Sequence, residues 1–350
     1  MKYPEPYSLK LWKYLLFGAI VSTLGLFIWE LLSLFQSWQG QPKQPGWEII
    51  RPPQEVSALV IQGDHLWAGG QAGVFQIALQ PPHTVEPLQC DRPLQFVRAL
   101  AIDPDGVLWI GHGNGLNYVD AQGCHPYQSD KPFFQGQINA LYVDRAGQLW
   151  IGTWEGAAVK ENKDWHFLTP ADGLPDRMVN VIHQDAEGGM WFGSAVAPKG
   201  GLSHCIKKSC QLFSTANGLA HNNITSLFSD DTGHLWVGMG LFDRGGLARL
   251  ERRTTGWAIA QIFTKADGLA GEKVRSIYQD QTGVLWFGSE YNGLARLDSQ
   301  GRWLILTEAD GLADQEVKAM VQDRFGNLWL GTRNGITRLD AQYLRNLGEQ

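Results

Sequence analysis

The 350-residue chain has little of what marks familiar chemistries. It carries no Cys-x-x-Cys pair, no phosphate-binding glycine loop and no recognisable Ser-His-Asp arrangement, so redox dithiol, nucleotide and triad chemistry lack motif support. Nine histidines are present, but none stands at metal-ligand spacing from another. Positive charge is scarce. Lys and Arg number 29 against 35 Asp and Glu, and beyond residue 46 the balance is 25 against 33. An acidic domain without a basic stripe argues against a nucleic-acid partner. Outside the N-terminus no stretch shows the 3.6-residue apolar period of a helix, which disfavours a helical solenoid. No cofactor or metal is expected.

One long apolar run exists, Tyr14 to Phe35, whose only charge is Glu30. It reads as a membrane helix over 14–35, with 1–13 as a cytoplasmic N-terminus. Lys2, Lys10 and Lys13 precede it and Lys43 alone follows soon after, an asymmetry that sends the remainder outside the cytoplasm. A cleaved signal peptide is the rival, but Phe35-Gln36-Ser37-Trp38 offers no small-x-small site. Residues 36–46, with Pro42 and Pro45, form a polar linker reaching about 35 Å at most, so the domain stays near the bilayer.

Tryptophan and glycine are abundant, at 15 and 41. A Leu-Trp (once Met-Trp) followed shortly by Gly recurs with Trp at 67, 109, 150, 191, 236, 286 and 329. In the fourth copy, strands are expected at 179–182, 190–193, 201–204 and 211–213. Four short strands per unit of about 40–45 residues is propeller spacing. Adjacent Leu149 and Trp150 point to opposite faces of a strand, and two large apolar neighbours require cover on both faces. Stacked blades supply it. An Asp-x-x-Gly precedes six of the tryptophans, from Asp103/Gly106 to Asp323/Gly326, and is hairpin-turn chemistry; a calcium loop needs more ligands at closer spacing. The first unit lacks it.

The last unit ends near Asp340 after three strands, leaving 341–350 as a C-terminal tail. At the start, Trp47-Glu48-Ile49-Ile50-Arg51-Pro52 matches the fourth-strand stretch Trp165-His166-Phe167-Leu168-Thr169-Pro170. The leading strand should therefore complete blade seven, making an all-β, seven-bladed propeller over 47–340 with no free edge.

The pattern Asp-x-x-Gly-x-Leu-Trp-[Ile/Phe/Val]-Gly-[Thr/Ser] resembles the two-component regulator propeller repeat. So does the connector Ala171-Asp172-Gly173-Leu174, which returns at 216–219, 266–269 and 309–312. In that family such propellers often form the extracytoplasmic sensory part of histidine-kinase receptors. Here the apolar segment precedes the propeller and no transmitter domain follows Gln350, so the resemblance implies ligand or partner binding rather than direct signalling.

Connectivity puts the two–three loops and blade-to-blade connectors on one variable face, and the one–two and three–four turns on the other. The variable face carries Gln71, Asn114, Trp154, Glu155, Glu290, Tyr291, Arg333 and Asn334. Blades four and five have longer loops there, Ala195 to Lys199 and Leu241 to Arg244 with Asp243, which as neighbours would form a lip. A second set opens the innermost strands: Ser57, Arg98, Asn139, Asn180, Thr225, Arg275 and Lys318. It predicts a hydrophilic channel mouth whose three cations suit water or an anionic group. Cys205 and Cys210 flank an expected three–four turn and are placed to pair; free thiols are the alternative. Cys90 and Cys124 carry no supportive spacing.

The reading reached is a non-catalytic protein-binding or scaffold module, tethered outside the cytoplasm with its variable face away from the bilayer. Its partner would be a membrane protein complex, with the chain as accessory subunit or assembly factor. A second reading is a sensory protein for a glycan or small molecule feeding a separate membrane receptor. A third is a metal-dependent lyase, as some seven-bladed propellers are, for which His112, Glu155 and His221 are the visible candidates.

Overall fold

The computed structural model describes residues 45–162, 164–195, 199–207 and 209–348. The expected membrane helix over 14–35, and most of the linker, lie outside these residues. Among the described residues no helix is long and apolar enough to cross a membrane.

Residues 47–339 form seven four-stranded antiparallel sheets. Blade four, read from sequence above, comprises Val179–Gln184, Met190–Ser194, Gly201–Ile206 and Ser209–Phe213. Closure is as expected. Trp47–Ile50 pairs with Gly335–Leu339 in register Trp47↔Leu339 through Ile50↔Ile336, so the leading strand is the outer strand of blade seven. Past Asp340 the chain turns into a helix, Ala341–Gly348. The Asp340 Oδ1 caps it by accepting the Tyr343 N–H at 2.7 Å. Tyr343 meets Trp47 edge-on at 5.3 Å between ring centroids, and Leu344 is buried beside them.

Both residues of the Leu-Trp pair are buried in six blades; in blade three Leu149 is buried and Trp150 half-buried. Each tryptophan packs onto the next blade. Trp191 lies against Leu235 and Val237 of blade five, and Trp329 of blade seven against Leu66 and Ala68 of blade one, which carries the contact across the closure. The glycine two residues after each tryptophan has a steric cause. At Gly193 a Cβ would sit 2.6 Å from Cγ2 of Ile224, which opens the inner strand of the next blade. Blades stack this closely only where no side chain intervenes.

The Asp-x-x-Gly turn also does more than turn. In six blades one carboxylate oxygen takes backbone N–H groups of the hairpin, while the other accepts the indole N–H of the tryptophan six residues on. The indole bonds run from Asp103–Trp109 at 2.8 Å through Asp144, Asp185, Asp230 and Asp280 to Asp323–Trp329 at 2.8 Å. Blade one, without the aspartate, uses Gln62 Oε1 for Trp67 at 3.1 Å.

Candidate functional site

The polar residues that open the inner strands owe their direction to a repeated irregularity. In blades three to seven the pairing of the first two strands slips by one, as between Ile138 and Ala140 or between Val317 and Ala319. The skipped residues are Asn139, Asn180, Thr225, Arg275 and Lys318. A bulge residue opposes no partner and its side chain is re-aimed. Ser57 and Arg98 stand just before their strands, with their N–H groups bonded to Gly69 and Gly111 of the neighbouring strand.

Three of these seven are spent between blades, while the three cations of the expected mouth come together. Asn139 donates to the Val179 carbonyl at 3.3 Å and Asn180 to that of Ile224 at 3.0 Å, while the Thr225 hydroxyl donates to that of Val274. All three latch one blade to the next. The remaining four, Ser57, Arg98, Arg275 and Lys318, line a cavity of about 700 Å³ together with Arg333, Glu55 and Phe96. Of the expected site residues the structure thus brings together Arg98, Arg275, Lys318 and Arg333.

Charge in this mouth is partly compensated. Glu55 Oε1 accepts from Lys318 Nζ at 2.6 Å and from the Ser57 hydroxyl at 2.6 Å, and Oε2 accepts the Gln71 N–H at 2.5 Å. Burial opposes the Glu55 charge, but these bonds outweigh it and hold its carboxyl below the usual range. Glu316 lies 3.6 Å from both Arg275 and Lys318. Arg98 and Arg333 have no carboxylate within ion-pair distance among the described residues. Burial, then the charge of Arg275, presses the Arg98 pKa downward, with Glu55 opposing; a guanidinium stays charged regardless.

Most of the other expected residues stand outside this lining, on several blades. Glu155 lies 3.9 Å from Arg177, both exposed. Glu290 pairs with Lys273 and accepts from the Tyr291 hydroxyl at 3.1 Å. Asn334 gives its carbonyl to Arg51 at 2.7 Å. Lys199 is exposed, while 196–198 lie outside the described residues, so the expected lip falls there on one side. On the other side the expectation is corrected. Leu241–Arg244 is no loose loop, because the strands extend to a Leu241↔Arg244 pair and turn at Phe242-Asp243. Asp243 and Phe242 face a small cavity of about 90 Å³ shared with Glu290 and Tyr291 of blade six. Four aromatics stand out from this face or its mouth: Phe96 at 55%, Trp154 at 55%, Phe242 at 67% and Tyr291 at 52% exposure. Sequence reading singled out Trp154 and Tyr291 but passed over Phe96 and Phe242.

His112 and His221 belong to blade two and to the connector entering blade five. His112 is buried, with Nε2 at 3.0 Å from Asn117 Oδ1 and Nδ1 accepting the Asn114 N–H. Burial lowers its pKa, against the Asn117 bond. Both ring nitrogens are engaged within the fold. His221 accepts the Asn223 N–H, and its pKa is lowered by burial and then by Arg244 and Lys273. Among the described residues no group of three His, Cys, Asp or Glu is placed to hold a metal ion. Two disulfides are formed, Cys205–Cys210 across the expected hairpin and Cys90–Cys124, which ties the connector after blade one to the outer strand of blade two.

The fold is that of a seven-bladed propeller with a charged mouth and exposed aromatics. Six segments, 91–114, 132–155, 173–195, 218–240, 268–291 and 311–334, match the two component regulator propeller family. They are the six units bearing the Asp–Trp bond, and the chain is a propeller of that type. No curated protein matches its sequence significantly. Among solved structures it is similar to a protein described as the extracellular domain of the hybrid two-component system BT3049 from B. thetaiotaomicron, at TM-score 0.74 and 19% identity. That match covers 86% of this chain, which spans less than half (42%) of that protein. Virginiamycin B lyase from Staphylococcus aureus superposes at TM-score 0.63 and 13% identity, over 84% of this chain and 98% of the lyase. YCF48 bound to D1 peptide does so at 0.63 and 12%, over 85% and 98%. One outline therefore serves the extracellular domain of a two-component system, a lyase and a peptide-bound protein, so the fold alone does not choose among them.

Proposed function

We propose that the chain is a non-catalytic binding module, held to a membrane outside the cytoplasm, that docks a protein partner through its variable face. The observation that carries this is the set of four exposed aromatics, Phe96, Trp154, Phe242 and Tyr291, together with a mouth rich in arginine. Aromatics and arginine are the residue types enriched at protein interfaces, and covering large exposed rings lowers the free energy. The apolar run 14–35 and two disulfides favour the location. The leading strand starts at the end of blade seven opposite Arg333 and Asn334, which suits a tether leaving the variable face free. An accessory subunit or assembly factor of a membrane complex is the form this takes.

The test is purification from native membranes in mild detergent. A stable co-purifying membrane protein, lost on Trp154→Ser with Phe242→Ser, supports the reading; a chain that elutes alone in both forms removes it. The family match favours a second reading, a sensory protein for a glycan or small molecule, which thermal stabilisation by such a ligand would reveal. The lyase reading has weaker footing, because His112 already spends both ring nitrogens inside the fold.

A further inference from the structure

The mouth holds more positive charge than the fold uses. Four cations, Arg98, Arg275, Lys318 and Arg333, face two carboxylates, Glu55 and Glu316, a surplus of two. Glu55 is saturated by Lys318, Ser57 and Gln71, and Glu316 is shared between Arg275 and Lys318. Arg98 and Arg333 are left over. Mutual repulsion in a concave site disfavours leaving them unmatched. The surplus also runs against the chain, which beyond residue 46 has eight more acids than bases. A negatively charged partner is repelled by most of this surface and drawn to one place on it. Beside the arginines the otherwise polar lining includes one large apolar side chain, Phe96, which remains more than half exposed. About 700 Å³ is in the usual range for a ligand pocket.

We propose that the channel mouth binds a side-chain carboxylate of an acidic peptide segment, held by Arg98 and Arg333 with its neighbouring apolar atoms against Phe96. Guanidinium forks match the planar carboxylate in a way that the compact Lys318 ammonium, already paired, does not. The Phe96 ring favours a peptide, whose carboxylate has apolar neighbours, over a bare inorganic anion. This deepens the partner-binding reading by naming what the partner presents at the mouth, and it can fail separately, since its test needs no partner.

The full chain in mild detergent is titrated into a fluorescein-labelled, C-terminally amidated hexapeptide of alternating glutamate and leucine, and into its equally amidated glutamine counterpart, with anisotropy as readout. The glutamate peptide should bind and weaken with added salt, and the glutamine peptide should not bind. Arg98→Gln and Arg333→Gln should each weaken binding by about tenfold or more, the scale of a lost charge-assisted hydrogen bond. Glu55→Gln should tighten it, because the surplus rises from two to three, and misfolding would not produce that gain. Equal binding of both peptides, or unchanged affinity in the two arginine variants, overturns the proposal. So does displacement by inorganic phosphate at the peptide's own concentration, which would assign the mouth to small oxyanions.

Discussion

Replacing Asp323 by alanine tests the claim that these turns hold the blades from within. Asp323 is fully buried and accepts four hydrogen bonds. Oδ1 takes the N–H groups of Phe325 and Asn327 at 2.9 Å each. Oδ2 takes the Asn327 amide and the Trp329 indole at 2.8 Å each. In Asp323→Ala the backbone donor at exposed Phe325 can turn to water, but Trp329 is wholly enclosed and Asn327 nearly so. Three buried donors, the Trp329 indole and the backbone and side-chain N–H groups of Asn327, are orphaned at about 1–3 kcal/mol apiece, for an expected loss of about 6 kcal/mol. Blade one supplies an internal control. There the Trp67 indole meets a neutral amide at 3.1 Å beside solvent, so Gln62→Ala should cost about 1 kcal/mol. Asp323→Asn should fall between, since its one side-chain oxygen serves either the turn or the indole. Urea denaturation followed by tryptophan fluorescence, with the slope checked for constancy, reads all three. If Asp323→Ala lies within about 1 kcal/mol of the parent, or costs no more than Gln62→Ala, the clamp is not what holds the blade.

Acid should weaken the fold before its carboxylates protonate. Burial holds the His183 pKa at about 4 against an ordinary 6.5, so the unfolded chain takes up a proton that the fold refuses. Stability is complete above pH 6.5 and declines as pH falls toward 4, by at most about 3 kcal/mol; a His183→Gln variant should lose that slope between pH 7 and 5 in denaturation curves. Disulfide removal should scale with loop length. Cys90→Ser with Cys124→Ser opens a separation of 34 and should cost about 4 kcal/mol, against about 2 for Cys205→Ser with Cys210→Ser at a separation of 5; thermal melts rank the two. Trp47→Ala removes the ring that packs on Tyr343 and Leu344 and should cost about 3–5 kcal/mol. It should also promote self-association in size-exclusion chromatography as the edge at Gly335–Leu339 frays.

The blades were legible because their signal is repeated and local. Leu-Trp-x-Gly marks the second strand wherever it stands, and the likeness of Trp47–Pro52 to Trp165–Pro170 was enough to close the ring. The indole bond was equally within reach: the spacing from aspartate to tryptophan is six in every blade that has both, yet only the turn was read from it. Cys90 and Cys124 were beyond reach, since their meeting depends on how one connector folds back along an outer strand. At Leu241 the insertion reads as a loop in sequence, but Met239-Gly240-Leu241 prolongs the strand, and extended pairing satisfies more backbone groups than a loop does.

The site was half legible for a related reason. Sequence shows a polar residue at one recurring position, but not that the residue is a bulge, nor what its side chain can reach. Length decides. Asparagine and threonine at 139, 180 and 225 are short enough to end on the carbonyl of the next blade's opening residue. In blade six that bond passes to the following residue, where Ser276 donates to the Val317 carbonyl at 2.9 Å, and position 275 is freed to be arginine. Between blades seven and one the junction is made instead by Lys318 on Glu55. Blades three to six are thus joined by neutral latches that leave little for a ligand, while the charge gathers on the side formed by blades six, seven, one and two. The leading strand closes the circle within that charged half, and Glu55, which sets the local balance of charge, lies on the segment running from that strand into blade one. Closing the ring and gathering its charge on one side are consequences of the same stretch of chain.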